Sequence, residues 1–130
     1  MVTARNLFCE ASLALEPEML IERAFALMQQ KGITSTVVLN DDDTVAGILA
    51  ESDIIKMFVN PDSGGVEASA VRDFMTQGAI TEQADSDIGK LSQTLLSHHF
   101  GQVPIVFNGT FVGVVSRKDI IRHLLGVNSE

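Results

Sequence analysis

One nine-residue sequence pattern occurs twice in this 130-residue chain, and the duplication constrains the fold more than any other feature. Residues 47–55 read GILAESDII and residues 113–121 read GVVSRKDII, at an offset of 66. In both copies a glycine and two apolar residues lead to an aspartate and a second apolar pair, which indicates a strand running into a helix. The N-terminus of such a helix has unpaired N–H groups and the positive end of the helix dipole, so it can bind an anion. Two such ends favour a protein with two binding clefts over one with a single catalytic centre.

The duplication extends over nearly the whole chain. Before the first hairpin turn the offset is 67, which pairs Val38 with Ile105. It becomes 66 because the DDD turn at 41–43 is one residue longer than the NG turn at 108–109. Surface turns tolerate such length changes in duplicated folds. An internal repeat of this length predicts two structural units that must pack together to form a core.

Each copy predicts the same order of elements. Apolar residues at helical spacing after Pro17 predict a first helix, and Ile88, Leu91 and Leu95 predict its counterpart. Two short strands around a turn and a closing helix follow in each copy, and a further short strand is expected near Leu13 and near Ile80. The predicted strands are 34–40 and 44–49, then 102–107 and 110–115, and the predicted closing helices are 52–58 and 117–125.

These elements predict an α+β fold of two pseudo-twofold-related β-α-β-β-α repeats. The first repeat covers residues 1–59 and the second covers 71–130. Residues 60–70, which begin NPDSGG, form the predicted linker. One repeat cannot cover its own sheet, so we expect the two to make one compact domain with binding clefts between them.

Composition and charge exclude several classes of protein. A formal net charge of −8 argues against binding to a nucleic-acid backbone, and the absence of Trp and Tyr removes the usual stacking platforms. No apolar run reaches the roughly 18 residues that span a bilayer, so we expect no membrane insertion. Cys9 is the only cysteine, which rules out an internal disulfide and fits a reducing cytoplasm.

No pattern typical of catalysis or of a metal site occurs in the chain. It has no nucleophile elbow, no Walker-type glycine loop and no metal-ligand spacing, so we predict that it is not an enzyme and holds no metal. Adjacent side chains on a helix point about 100° apart, so His98 and His99 are badly placed to share one ion.

Three motifs make the chain resemble a tandem pair of cystathionine-β-synthase (CBS) domains, known as a Bateman module. They are VRDFMT at 71–76, QVPIV at 102–106 and GVVSRKD at 113–119. The last matches the family's Gly-apolar-X-Thr/Ser-X-X-Asp signature. The resemblance implies a non-catalytic regulatory module that binds AMP, ADP, ATP or S-adenosylmethionine between the repeats, forms homodimers and signals to an effector protein.

The resemblance also implies the residues of the site. In such modules the signature aspartate holds the ribose hydroxyls, the Ser or Thr three residues earlier contacts ribose or phosphate, and the segment around the proline surrounds adenine. In the second copy these positions, with the neighbouring cations for phosphate, are Asp119, Ser116, Val103, Pro104, Ile105, Ile80, Thr81, Arg117 and Lys118. In the first copy they are Asp53, Thr36, Val37, Val38 and Leu13, with Ser52 as a substitute hydroxyl because Ala50 stands where the second copy has Ser116.

A simpler interpretation of the signature remains open beside the ribose role. SRKD at 116–119 also matches a helix capping box, which needs no ligand. We favour a nucleotide role for Asp119 because of its place in the repeat, and the two roles are compatible. In the first copy Ala50 cannot cap a helix, so we expect Ser52 to do so and the Asp53 cleft to be the weaker one. The alternative function is a ligand-free dimerisation or protein-interaction module with vestigial clefts.

The closing helices are the expected dimer surface. The resemblance implies that two pairs of repeats form a disc by burying the apolar faces of 51–58 and 117–125. The candidate residues for this surface are Ile54, Ile55, Phe58, Ile120, Ile121 and Leu124.

Overall fold

The computed structural model describes residues 2–59, 69–78, 80–98 and 101–127, without the side chain of Phe58. Most of the predicted linker, residues 60–68, lies outside these ranges, as does His99. The helices are α1 Ala4–Leu7, α2 Ile21–Lys31, α3 Glu51–Val59, α4 Val71–Phe74, α5 Ile88–His98 and α6 Arg117–Leu125. The strands are β1 Ala14–Leu15, β2 Ser35–Leu39, β3 Val45–Ala50, β4 Thr76–Gln77, β5 Glu82–Gln83, β6 Gln102–Phe107 and β7 Thr110–Ser116. The predicted α+β fold is confirmed.

The chain divides into two compact units that exchange short segments. The first unit is Ser12–Ala79, and the second unit is Met1–Ala11 together with Ile80–Glu130. Residues 2–11, here called the first leader, therefore belong with the second copy's sheet. Residues 69–78, the second leader, belong with the first copy's sheet. The two repeats of the sequence and the two units of the structure thus differ by their leaders.

The first unit contains a four-stranded sheet in the order β1-β2-β3-β4. β1 is parallel to β2, and the other neighbours are antiparallel. The helical spacing in the sequence is confirmed, because α2 buries Ile21, Ala24 and Met28 on one face. Gly32 ends this helix in the left-handed conformation that glycine adopts without strain. The core of this unit consists of Leu15, Ile21, Ala24, Met28, Val38, Leu49 and Val71.

The second unit contains a three-stranded sheet in the order β5-β6-β7. The predicted hairpin is confirmed, with Asn108 and Gly109 at φ 51° and 82° as the favoured two-residue turn requires. α5 buries Leu91 and Leu95 against this sheet. The core of this unit consists of Ala4, Ala84, Leu91, Leu95, Val103, Ile105, Val115 and Ile120.

A buried carboxylate connects β5 to α5 in the second unit. Glu82 is almost fully buried and accepts hydrogen bonds from the hydroxyls of Thr94 at 2.7 Å and Ser86 at 3.1 Å. Lys90 approaches the same carboxylate to 3.8 Å. Since a buried charge requires such partners, this network fixes the start of β5 beside α5.

The two signature glycines make room for the leaders. β4 pairs with β3 at Gly47, and Cys9 pairs with Val114 next to Gly113. A Cβ atom on Gly47 would lie 2.5 Å from the carbonyl oxygen of Thr76, and one on Gly113 would lie 2.6 Å from that of Cys9. Real Cβ atoms do not approach so closely, so each glycine permits the close backbone contact that holds a leader to a sheet edge.

Each Ile-Ile pair after a signature aspartate divides between core and surface. Ile120 is buried in the second unit's core, and Ile54 packs against that of the first unit. Ile55 and Ile121 are 63% and 52% exposed. The prediction that Ile120 belongs to a dimer surface is therefore wrong, because its side chain is buried in the core of its own unit. Ile54 is only half-buried, and its place at a dimer surface stays a prediction.

Leu124 keeps its predicted place at the surface. It is 69% exposed on α6, whereas the predicted contribution of Phe58 lies outside the described side chains. The longest helices span 11 residues, and within the described ranges no helix is long and apolar enough to cross a membrane.

Candidate functional site

The second signature forms a complete capping box at the start of α6. Ser116 is the N-cap, and its hydroxyl oxygen accepts the N–H of Asp119 at 3.2 Å. In return, Asp119 Oδ2 accepts the Ser116 N–H at 2.7 Å and the Ser116 hydroxyl at 2.9 Å. The capping interpretation is confirmed. A ligand approaching this carboxylate would meet one oxygen that already has two donors.

The other carboxylate oxygen of Asp119 faces the first leader. Oδ1 lies 3.8 Å from the Cys9 sulfur and 3.6 Å from a guanidinium nitrogen of Arg122. Partial burial raises the pKa of the Cys9 thiol, and the charge of Asp119 and its hydrogen bond raise it further. The thiol therefore stays protonated and can donate to the carboxylate. An open cleft of about 330 Å³ adjoins this contact and is lined by Asn6, Leu7, Phe8, Cys9, Asp119, Arg122, His123 and Val127.

The first signature forms only half of the corresponding box. Asp53 Oδ2 accepts the N–H of Ala50 at 2.8 Å, and Oδ1 accepts the hydroxyl of Thr76 at 3.3 Å. The prediction that Ser52 caps this helix is wrong, because α3 begins at Glu51 and Ser52 is already its second residue. The cap position belongs to Ala50, whose methyl group cannot accept a hydrogen bond.

Thr76 and Cys9 are partners of the signature that the sequence did not indicate. The offset of 67 pairs these two leader residues with each other, and each contacts the signature aspartate of the unit to which its leader belongs. The alignment of the two repeats therefore pairs Thr76 with Cys9. It could not show that either residue contacts an aspartate, because those contacts depend on the exchange of leaders between units.

The predicted adenine and ribose residues of the second copy meet at one end of its sheet. β5 runs parallel to β6, with Glu82 beside Ile105. β7 runs antiparallel to β6, with Ser116 beside Gln102. The starts of β5 and β6 and the end of β7 therefore lie at the same end, where α6 begins. Ile80 and Thr81, which precede β5, approach this end as well.

Val103 and Ile105 of β6 belong to the core of the second unit. Val103, Pro104 and Ile105 are buried, while Ile80 is 36% exposed and Thr81 is half-buried. The buried residues can offer a ligand their backbone groups and an apolar wall, which is the form of contact that the resemblance implies for adenine.

The corresponding end of the first copy's sheet contains a hydrogen bond, from Thr36 to Leu13, for which the second copy has no equivalent hydroxyl. Ser35 pairs with Ala50, so Leu13, Thr36 and the start of α3 again lie together. Thr36 is 0% exposed and donates its hydroxyl to the carbonyl oxygen of Leu13 at 2.7 Å. Val37 and Val38 are fully buried. The Thr36 hydroxyl, predicted to contact a ligand, is therefore bound within the fold.

Of the two cations predicted to bind phosphate, Arg117 is hydrogen-bonded within the fold and Lys118 is exposed. The Arg117 guanidinium donates to the carbonyl oxygen of Leu95 at 3.1 Å, and its backbone N–H donates to that of Gly101 at 3.1 Å. Arg117 thereby connects α6 to the segment around α5, whereas Lys118 is exposed. Among the described residues, no group of three His, Cys, Asp or Glu side chains could hold a metal ion.

Comparison with known families and proteins gives two matches to one domain. The CBS domain profile matches residues 4–60 and again residues 71–126. An uncharacterised 17.7 kDa protein of Acidianus ambivalens is 30% identical over 116 residues, which is 88% of this chain and 68% of that protein. The chain spans less than half of several further curated relatives, from 48% of one down to 14% of another, but 86% of hypoxic response protein 1 of Mycobacterium tuberculosis.

Solved structures share the fold at lower sequence identity. CBSX2 from Arabidopsis thaliana, solved in complex with AMP, superposes with a TM-score of 0.83 at 20% identity, covering 97% of this chain and 98% of the other. The CBS domain pair of protein MJ0100, in complex with 5′-methylthioadenosine and S-adenosyl-L-methionine, gives 0.77 at 18% identity over 97% and 98%.

Proposed function

The chain belongs to the CBS-domain family as a tandem pair, and we propose that it is a non-catalytic regulatory module for adenosine compounds. AMP, ADP and ATP are the proposed ligands, with S-adenosylmethionine as a further candidate. Proteins of the same fold have been solved with AMP and with S-adenosyl-L-methionine, which supports this class of ligand. The proposed mechanism is a population shift, in which preferential binding to one conformation passes the signal to an effector protein in the cytoplasm.

The proposed site is the end of the second copy's sheet. The observation that supports it most is the position of the Ser116–Asp119 pair at the end where β5 and β6 begin. The two donors of Ser116 occupy Asp119 Oδ2, so a ribose hydroxyl would donate to Oδ1, which the Cys9 thiol and the Arg122 guanidinium approach only at 3.8 and 3.6 Å. Lys118 would bind phosphate, since the backbone N–H groups of Arg117 and Asp119 already donate to the Gly101 carbonyl and the Ser116 hydroxyl.

Calorimetric titration with AMP, ADP, ATP and S-adenosylmethionine tests the proposal. We expect micromolar binding to the purified chain that Asp119→Ala weakens at least about tenfold, because the ribose loses its acceptor. Asp53→Ala is the matched control, since it removes the equivalent carboxylate of the first copy, and we expect it to keep the affinity. Loss of binding in Asp53→Ala alone would move the site to the first copy. No heat from any ligand, in a chain whose circular dichroism is native, would reject adenosine sensing.

A ligand-free interaction module is the second candidate function. The hydrogen bonds of Thr36 to Leu13 and of Asp53 to Ala50 and Thr76 favour it for the first copy, whose polar groups already bind one another. We also propose that the chain is a homodimer in either case. Exposed apolar residues on α3 and α6 support this, namely Ile55, Val59, Ile121, Leu124 and Leu125.

A further inference from the structure

The carbonyl groups of Leu13 and Ile80 occupy equivalent positions in the two copies but have different neighbours. The offset of 67 carries Leu13 onto Ile80, Thr36 onto Val103, and Val37 onto Pro104. The Leu13 carbonyl lies directly before β1 and the Ile80 carbonyl lies two residues before β5, each at the sheet end where the signature helix begins. If one carbonyl is already hydrogen-bonded and the other is not, the two copies differ in whether they can accept a hydrogen bond from a ligand.

In the first copy this carbonyl already has a strong partner. The Thr36 hydroxyl donates to the Leu13 oxygen at 2.7 Å, and Thr36 has no exposed surface. The parallel ladder between β1 and β2 also begins early, at the pair Ala14 and Val37. A donor arriving from a ligand would have to displace a buried hydroxyl, which would then be left without a partner, and that is unfavourable.

In the second copy the residues equivalent to Thr36 and Val37 cannot donate a hydrogen bond of this kind to the Ile80 carbonyl. Val103 has no hydroxyl and Pro104 has no N–H. The ladder between β5 and β6 begins at Glu82 and Ile105, one position later than in the first copy. Pro104 accounts for this difference.

The backbone direction of β6 explains why. Ala84 N–H donates to the Val106 carbonyl, so the backbone of Val106 faces β5. By the alternation of a strand, the backbone nitrogen of Pro104 two residues earlier faces β5 as well and has no hydrogen to donate. The ladder therefore cannot extend to Ile80 and Thr81, and the Ile80 carbonyl retains acceptor capacity toward a ligand.

We propose that Thr36 closes the first copy to adenine, so that each chain binds one adenosine nucleotide, in the second copy. Adenine presents an exocyclic amino group, which needs an acceptor. The Ile80 carbonyl offers one, whereas the Leu13 carbonyl is bound to the Thr36 hydroxyl. This inference rests on the proposed function and adds to it the stoichiometry and the residue that determines it.

Titration of the full chain with AMP measures the stoichiometry directly. We expect one AMP per chain for the wild type and two for Thr36→Val, which removes the hydroxyl at nearly constant volume. Thr36→Ser keeps a hydroxyl and is the matched control, with one AMP expected. Asp119→Ala combined with Thr36→Val weakens the second copy at least about tenfold and keeps the opened first copy, so one tightly bound AMP is expected there too. Inosine 5′-monophosphate lacks the amino group, and we expect it to bind at least about tenfold more weakly at either position.

The outcomes separate this inference from the function on which it rests. Two AMP molecules per wild-type chain, or one per folded Thr36→Val chain, would overturn the role of Thr36 and leave adenosine binding intact. No binding of any adenosine compound to the wild type would reject both. Circular dichroism establishes folding of each variant, and Thr36→Ala replaces Thr36→Val if the latter does not fold.

Discussion

The contact between Cys9 and Asp119 has a measurable electrostatic effect, because it helps to raise the pKa of the Cys9 thiol. Its pKa is raised by partial burial first and by the nearby Asp119 carboxylate second. Alkylation by iodoacetamide requires the thiolate, so we expect Cys9 to react more slowly at pH 8 in the folded chain than in urea. Asp119→Asn removes the negative charge, which should lower the pKa and move the rate-versus-pH profile to lower pH. Asp53→Asn, whose carboxylate contacts Thr76 instead, should leave the profile in place. A profile that does not move in Asp119→Asn would refute the coupling.

The candidate site was predictable from the sequence where its contacts are local. Ser116 and Asp119 are three residues apart, and a capping box can be recognised at that spacing. The contact of Cys9 with Asp119 spans 110 residues and depends on the exchange of leaders, which no periodicity encodes. For Thr36 the sequence suggested a contact that the structure does not leave open. Its place in the repeat suggested a ligand contact, but burial directs its hydroxyl to Leu13.

Among the elements, the contact of the first leader with β7 depends on one glycine. A Cβ on residue 113 would lie 2.6 Å from the Cys9 carbonyl oxygen and 2.8 Å from the Phe8 ring, so Gly113→Ala must displace the leader. We expect a loss of about 1–3 kcal/mol in the free energy of unfolding, typical of overpacking, measured by urea denaturation. Gly101→Ala is the matched control, because a Cβ there has no atom within 4 Å among the described residues apart from its chain neighbours, and we expect nearly unchanged stability. Equal stability of the two variants would show that the leader does not depend on this approach.

Long elements were predictable and short ones only in part, because β1 and β5 lie near the short strands expected at Leu13 and Ile80 whereas α1, α4 and β4 were not predicted. The hairpins and α2 have enough residues for apolar periodicity to appear: the hairpin strands lie within one residue of their predicted bounds, and α2 buries the residues at helical spacing. α1 and α4 have four residues each and β4 has two, too few for a periodic pattern. Their sequences become helix or strand because tertiary contacts hold them, for example at Gly47.

At the scale of the whole molecule, the closing helices leave apolar surface exposed that a monomer would present to water. Ile55 on α3, in the first unit, and Ile121 and Leu124 on α6, in the second unit, are each more than half exposed. Large apolar side chains grouped on a helix face often mark a protein interface. Burying each of these side chains would contribute on the order of 1.5–3 kcal/mol to association.

We therefore expect the chain to be a dimer in solution and expect Ile55→Asp and Leu124→Asp to dissociate it. Placing a carboxylate in an apolar interface leaves a buried charge without a partner, which is strongly unfavourable. Light scattering coupled to size-exclusion chromatography gives the mass of each variant, and circular dichroism shows that the helices are retained. Lys56→Asp is the control, because it changes the charge of the same helix by more than Ile55→Asp does but removes no apolar surface. A wild-type monomer, or equal dissociation by Lys56→Asp, would show that the exposed faces of α3 and α6 are not the dimer surface.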